Sequence, residues 1–132
     1  MSKKSLDQER AAYAWKCAQK IVAEKWKKDY KNLAKSLPAL VMSNGLMQTL
    51  AFLKTKEKQE HRLVLGAHVC SWAIKGDREA PSIDADEFEN KFDSIMNNLY
   101  RMETDKYRRA TEEALEILKW IRQMADAAIK GD

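Results

Sequence analysis

The sequence predicts an all-α protein of one domain, residues 1–132, folded as a compact bundle of about five to seven helices around a central apolar helix at residues 37–54. The chain has only four Gly and two Pro, and strand-like alternation of apolar and polar residues is scarce. Apolar residues instead recur three and four positions apart, which is the spacing of one helix face. A composition of 45% hydrophobic and 33% charged residues is typical of a globular protein.

The segment at residues 37–54, LPALVMSNGLMQTLAFLK, is apolar in every direction around a helix, which favours burial. Pro38 suits the first turn of a helix, where its missing N–H costs nothing. Gly45 either lets a neighbouring backbone come close or marks a kink, and the sequence leaves both open. The segment would be roughly 27 Å long, slightly short for a membrane span, and it contains Asn44 and Gln48. We therefore expect a soluble core helix and no membrane partner.

The N-terminal region predicts a helix that begins at Ser5, which has the capping-box spacing to Gln8, and that breaks near residues 30–32. Four lysines form a stripe on this helix, roughly 150° away from its apolar stripe. Such a stripe suits either contact with an RNA backbone or a solubilising surface, and both interpretations stay open. The apolar stripe is Ala11, Trp15, Ala18, Val22, Trp26 and Leu33, and the basic stripe is Lys16, Lys20, Lys27 and Lys31.

The rest of the chain predicts three more helices. One crosses residues 63–74, one crosses residues 84–99, and the last begins near Thr104 or Asp105. The last helix has a broad apolar surface, which should pack against more than one neighbour or against a second subunit. Trp120 flanks that surface and is either the anchor of a protein interface or a boundary residue of the core.

Charge is unevenly distributed along the chain, although the net charge is only +4. Residues 1–36 hold ten basic and four acidic residues, a formal charge of +6, whereas residues 77–105 hold three and nine, a formal charge of −6. This pattern favours a polyanionic partner, copies that meet basic end to acidic end, or simply solvated helix faces. Cys17 and Cys70 are predicted to be buried thiols in a reducing cytoplasm, and the first ten residues lack the apolar stretch of a secretory signal.

No motif for catalysis stands out. His61 and His68 lie seven residues apart, too far to hold one metal ion from a helix face, and we interpret them as surface or core-edge histidines. Residues 83–88 resemble a calcium loop only weakly, because Phe88 occupies a ligand position and the turn glycine is missing. The sequence also lacks a Gly-rich phosphate loop and a Ser/His/Asp set. We therefore expect a protein that is not an enzyme, with no catalytic residue, metal or cofactor.

Two segments together resemble a known family. Residues 37–53 are LPALVMSNGLMQTLAFL, and residues 107–121 are YRRATEEALEILKWI. They are similar to the two characteristic blocks of the small helical subunit, the fifth protein, of the CRISPR type III-B (Cmr) RNA-silencing complex. The resemblance implies a non-catalytic scaffold in antiviral defence, which stacks with copies of itself beside the other Cmr subunits, along the guide RNA and its target RNA.

The NGL and YRRAT blocks resemble packing determinants, and Arg108 and Arg109, at the start of the last helix, are also candidate RNA contacts. The acidic stretch at residues 77–93 matches no pattern of the family, so its contacts are not assigned. The alternative hypothesis is a freestanding helical DNA-binding or adaptor protein. The sequence does not favour this alternative, because it lacks the pattern of a helix-turn-helix, in which a Gly-containing turn joins two short helices.

Overall fold

The computed structural model describes residues 4–55 and 59–129, and within those ranges the protein consists of seven α-helices and no β-strand. The predicted all-α bundle and its number of helices are therefore confirmed. The helices are α1 Leu6–Ile21, α2 Lys27–Asn44, α3 Leu46–Leu53, α4 Glu60–Ala73, α5 Ala85–Asn90, α6 Phe92–Tyr100 and α7 Thr104–Ala128.

The helix at the centre of the bundle is α4, and the prediction of a single buried helix at residues 37–54 is wrong. Residues 65–72 of α4 are all buried. The predicted segment is instead divided at Gly45, where φ is +89° and ψ is 166°, so that α2 ends and α3 begins. Each half buries only one face, and Met42 is 71% exposed. A helical wheel drawn across residues 37–54 assumes that they share one helix axis. The break at Gly45 gives the two halves different axes, so the predicted all-round apolar surface does not apply.

The longest helix, α7, has 25 residues and packs against α1, α2 and α4. Its start at Thr104 and its contact with several neighbours confirm the sequence prediction for this region. Three of its buried residues are Ala110, Ala114 and Ala125, whose short side chains let the neighbouring helices come close.

The first helix is shorter than predicted. The capping box between Ser5 and Gln8 is present, but α1 ends at Ile21 and α2 begins at Lys27, so the predicted break near residues 30–32 is wrong. The buried face of α1 also differs from the predicted stripe, because Trp15 is 40% exposed. The predicted stripe included residues of both α1 and α2, which bury different faces because they are separate helices. The face that α1 buries is Tyr13, Ala14, Cys17, Ala18 and Ile21.

The region at residues 84–99 forms two short helices, α5 and α6, which are separated at Lys91. The ring of Phe88 in α5 lies directly on the backbone of α4 at Gly66, and a Cβ added there would lie 2.5 Å from Cζ of Phe88. The loop before α5 is attached to α4 as well, because the Ile83 N–H donates to Oγ of the buried Ser71 at 3.0 Å. These contacts hold α5 and the loop against the centre of the bundle.

Candidate interaction surfaces

The two sequence blocks that carry the family resemblance meet in the folded protein. The backbone N–H of Met47, in the first turn of α3, donates to the hydroxyl of Tyr107 in α7 at 3.4 Å. The same hydroxyl lies 3.9 Å from the position of a Cβ on Gly45. Residues 60 positions apart therefore form one junction between α2, α3 and α7.

The four candidate RNA-binding lysines do not lie on one helix. Lys16 and Lys20 are exposed on α1, whereas Lys27 and Lys31 lie on α2 beyond the turn at residues 22–26. Lys31 is half-buried, and its Nζ lies 3.4 Å from Oδ1 of Asp126 in α7. The predicted continuous stripe is therefore divided between two helices, and one member is engaged in an ion pair.

The two candidate arginines, Arg108 and Arg109, are both exposed on the first turns of α7. Arg108 Nη2 lies 3.1 Å from Oδ1 of Asp105, but an exposed pair of this kind is worth little and leaves the guanidinium available. Sequence reasoning missed two nearby basic residues, Arg101 and Lys106, which border one hollow at the turn between α6 and α7. Arg101 and Lys106 lie on either side of the start of α7, and nothing in the sequence indicates that they border the same hollow.

Trp120, the candidate interface residue, is half-buried on α7. It borders a shallow hollow that also includes Asp7 from the start of α1. The position suits either of the two predicted roles.

A partly buried polar cluster connects α1, α4 and α7. The carboxylate of Glu113 accepts hydrogen bonds from Arg10 Nε at 3.1 Å and from Trp72 Nε1 at 2.8 Å. Burial raises the pKa of Glu113, but the hydrogen bonds from Arg10 and Trp72 outweigh it and the pKa lies below its ordinary value. The guanidinium of Arg78 covers the Trp72 ring at 4.2 Å. Through these hydrogen bonds the cluster stabilises the packing of α1 and α4 against α7.

A cavity of about 250 Å³ lies where the end of α1, the start of α2, the first turns of α4 and the loop before α5 come together. Its walls are largely apolar, and its rim carries three carboxylates and one lysine. The basic and acidic segments of the sequence thus meet at one cavity within a single chain. Apolar wall residues are Ile21, Trp26, Val64, Pro81 and Ile83, and the charged rim residues are Lys20, Glu24, Glu60 and Asp84.

His68 also lines this cavity, although it is only 5% exposed. Its position corrects the prediction of a surface or core-edge residue. Burial lowers the pKa of His68 to about 3, so the ring is neutral. Burial also raises the pKa of Tyr30 well above its ordinary value, and the Tyr30 hydroxyl lies 2.7 Å from Nδ1 of His68. The Tyr30 hydroxyl and Nδ1 of His68 share this hydrogen bond, and its donor is set by which ring nitrogen carries the proton.

No group of three or more His, Cys, Asp or Glu side chains is placed to hold a metal ion within residues 4–55 and 59–129. Nor does any described helix have the length and apolar character to cross a membrane. Cys17 and Cys70 are free and buried, as predicted.

The fold and these surfaces define a small all-α bundle in which two sequence blocks meet at a helix junction and basic residues are distributed over the outside. Residues 6–128 match the family described as CRISPR-associated protein (Cas_Cmr5). The chain belongs to this family, and the resemblance seen in the sequence is confirmed.

Two relatives show how far the similarity extends. The chain is 25% identical over 132 residues to a Thermotoga maritima protein named CRISPR system Cmr subunit Cmr5, and the alignment covers 100% of this chain and 91% of the relative. It is also similar to the crystal structure of a CRISPR-associated Cmr5 family protein from Thermus thermophilus. That match has a TM-score of 0.71 and 25% identity, and it covers 96% of this chain and 100% of the other.

Proposed function

We propose that this protein is a non-catalytic small subunit of a cytoplasmic Cmr-type CRISPR effector complex. In this role it binds other Cmr subunits, stacks with copies of itself and contacts guide and target RNA through basic side chains. The observation that carries the proposal is the family match over residues 6–128, together with the junction that the two family-like blocks form around Gly45 and Tyr107. Cleavage of RNA then belongs to other subunits.

The RNA contact is supported by four exposed basic residues on two helices. Lys16 and Lys20 project from α1, and Arg108 and Arg109 project from α7. Contacts of lysine and arginine with phosphates are independent of sequence and weaken steeply as salt rises. Single copies then bind RNA weakly, and several aligned copies bind it more tightly because their weak sites act together.

The experiment compares RNA retention by complexes reconstituted with different variants of this subunit. The test variant is Lys16→Glu with Arg108→Glu and Arg109→Glu, and the control is Lys75→Glu with Lys91→Glu, two exposed lysines near α4 and α5. Lys20 is left unchanged because it borders the cavity, and Lys31 because it pairs with Asp126.

We expect the test variant to assemble and to lose RNA affinity, with the slope of log affinity against log salt reduced by roughly 0.7–0.9 for each lost phosphate contact. The control variant should retain the slope of the wild type. Assembly with unchanged RNA affinity and slope would contradict the proposed RNA contact. Tight, salt-sensitive binding of duplex DNA by the isolated protein would instead favour a freestanding DNA-binding protein.

A further inference from the structure

We propose that the cavity between the end of α1 and the start of α4 receives an arginine side chain from a different protein subunit of the complex. In this contact the stem of the arginine lies along the apolar walls beside Trp26, and its guanidinium meets the carboxylates at the rim. The inference rests on the proposed function, because it takes the partner from the other subunits of that complex. It adds the residues that receive the partner and the kind of side chain that they select.

The size and walls of the cavity suit the aliphatic stem of one long side chain. Its volume of about 250 Å³ is below the roughly 300–1,000 Å³ of pockets for drug-sized ligands. Ile21 is buried, and Trp26 and Val64 are half-buried and packed against the core, so the walls are held in place by the fold. Long cationic side chains bury their methylene groups along such a surface and keep the charged end at its polar edge.

The rim of the cavity is acidic, and its carboxylates come from three different parts of the fold. Glu24 lies in the turn between α1 and α2, Glu60 in the first turn of α4, and Asp84 caps the start of α5. All three are exposed, and none of them forms an ion pair within residues 4–55 and 59–129. Among the described rim residues, these three carboxylates and the ammonium of Lys20 leave a formal charge of −2. The rim therefore favours a cation from a partner, since complementary charge guides two surfaces into register.

The aromatic wall favours arginine over lysine as this cation. A guanidinium is planar and weakly hydrated, so it stacks on an indole ring and presents a fork of donors to carboxylates, whereas an ammonium holds its water more strongly. The protein uses the same combination internally. The guanidinium of Arg78 lies over the Trp72 ring at 4.2 Å, and Nε1 of Trp72 donates to the carboxylate of Glu113 at 2.8 Å. An arginine placed between Trp26 and the acidic rim repeats this arrangement across an interface.

The partner at this cavity is a protein and not the RNA. Carboxylates at the rim repel phosphates, and like charges placed against each other disfavour a contact. Arg108 and Arg109, the candidate RNA contacts on α7, do not border the cavity, and no described residue of α7 lines it. The acidic cavity and the basic residues of α7 therefore serve two different partners.

The first experiment titrates the full chain with blocked tripeptides, Gly-X-Gly, in which X is arginine, lysine or citrulline, and follows the NMR signal of the Trp26 indole. Citrulline has the shape of arginine without its charge. We expect the arginine peptide to bind about tenfold more tightly than the citrulline peptide, and more tightly than the lysine peptide. Glu24→Gln with Glu60→Gln should remove the advantage over citrulline. The matched control, Asp93→Asn with Glu112→Gln, neutralises two exposed carboxylates on α6 and α7 and should retain it.

The second experiment measures the incorporation of the same two double variants into complexes reconstituted with the other subunits. We expect Glu24→Gln with Glu60→Gln to weaken incorporation about tenfold and the control pair to leave it unchanged. All four positions are exposed, so both variants should fold, and circular dichroism checks this. Asp84 is left unchanged because its Oδ1 accepts the Glu87 N–H at 2.8 Å at the start of α5.

Equal binding of the three peptides, or full incorporation of the double variant, would overturn the assignment and leave the proposed function intact. Spermidine that binds more tightly than the arginine peptide, with normal incorporation of the variant, would assign the cavity to free polyamines. Weaker self-association of the variant would assign it to a second copy of this chain, and either result would overturn the assignment to a different subunit. A wild-type chain that does not assemble with the other subunits would overturn the proposed function and this inference together.

Discussion

The hydroxyl of Tyr107 in α7 accepts a hydrogen bond from the backbone N–H of Met47 in α3 at 3.4 Å. The first N–H groups of a helix have no partner within that helix, and Gly45 provides no side-chain cap for α3. A side chain from a distant helix therefore completes the start of α3. The relationship explains in structural terms why the two sequence blocks belong together.

Replacing Tyr107 by Phe should lower the free energy of unfolding by about 0.5 kcal/mol, the weak end of the range for a hydrogen bond, because 3.4 Å is a long contact. Urea denaturation measures the change. Tyr100→Phe removes an exposed hydroxyl and should leave the stability unchanged. An equal cost for both variants would contradict a specific role for the Tyr107 hydroxyl.

Replacing Gly45 by Ala should destabilise the protein by about 1–3 kcal/mol, because its φ of +89° and ψ of 166° lie in a region that essentially only glycine adopts. The neighbouring Asn44→Ala, at an exposed position that ends α2, is the control and should change the stability by less than about 0.5 kcal/mol. Thermal and urea unfolding both report the difference. A Gly45→Ala protein as stable as the wild type would show that the break between α2 and α3 accommodates a Cβ.

Replacing Gly66 by Ala should cost about 1–3 kcal/mol through overpacking, even though alanine is the better helix former by roughly 1 kcal/mol. The added Cβ would lie 2.5 Å from Cζ of Phe88. Combining it with Phe88→Leu should recover part of the loss, because the smaller side chain vacates the position of the ring. Strictly additive effects of the two substitutions in a double-mutant cycle would argue against this contact.

His68 should make stability depend on pH in a defined direction. Its pKa is lowered by burial from 6.5 to about 3 in the folded protein, so between these pH values the unfolded chain binds a proton that the folded chain does not. Stability should therefore decrease as the pH is lowered through this window, by at most about 1.4 kcal/mol per pH unit. His68→Gln lacks this contribution, so the stability advantage of the wild type should shrink between pH 6.5 and pH 4. A constant difference between the two proteins would mean that His68 titrates equally in the folded and unfolded states.

Local signals in the sequence were sufficient for the starts of α1 and α7. Ser5 and Gln8 form the predicted capping box, and α7 begins at the predicted Thr104. These features depend on residues within one turn of each other. The break at Gly45 was not predicted, because a glycine inside an apolar run is compatible with a close contact, a kink or a helix end, and tertiary packing decides between them.

The candidate sites were less predictable, since they depend on residues far apart in the chain. His68 is buried because it lies in the central helix α4, and it contacts Tyr30, 38 residues away. Lys20 and Asp84 border the same cavity although they belong to oppositely charged segments. A helical wheel places residues around a single helix axis. Because the turn between α1 and α2 gives these residues two different axes, the four lysines do not form one stripe in the folded protein.

The cluster of Arg10, Trp72 and Glu113 has a consequence for the order of folding. Arg10 and Glu113 are 103 residues apart, and Trp72 connects to the same carboxylate. The contact between Arg10 and Glu113 requires both segments to have been synthesised and the long intervening loop to be closed. During synthesis, α1 and α4 therefore remain incompletely packed until α7 has left the ribosome. A chain truncated before residue 104 should expose the core of α4 and aggregate.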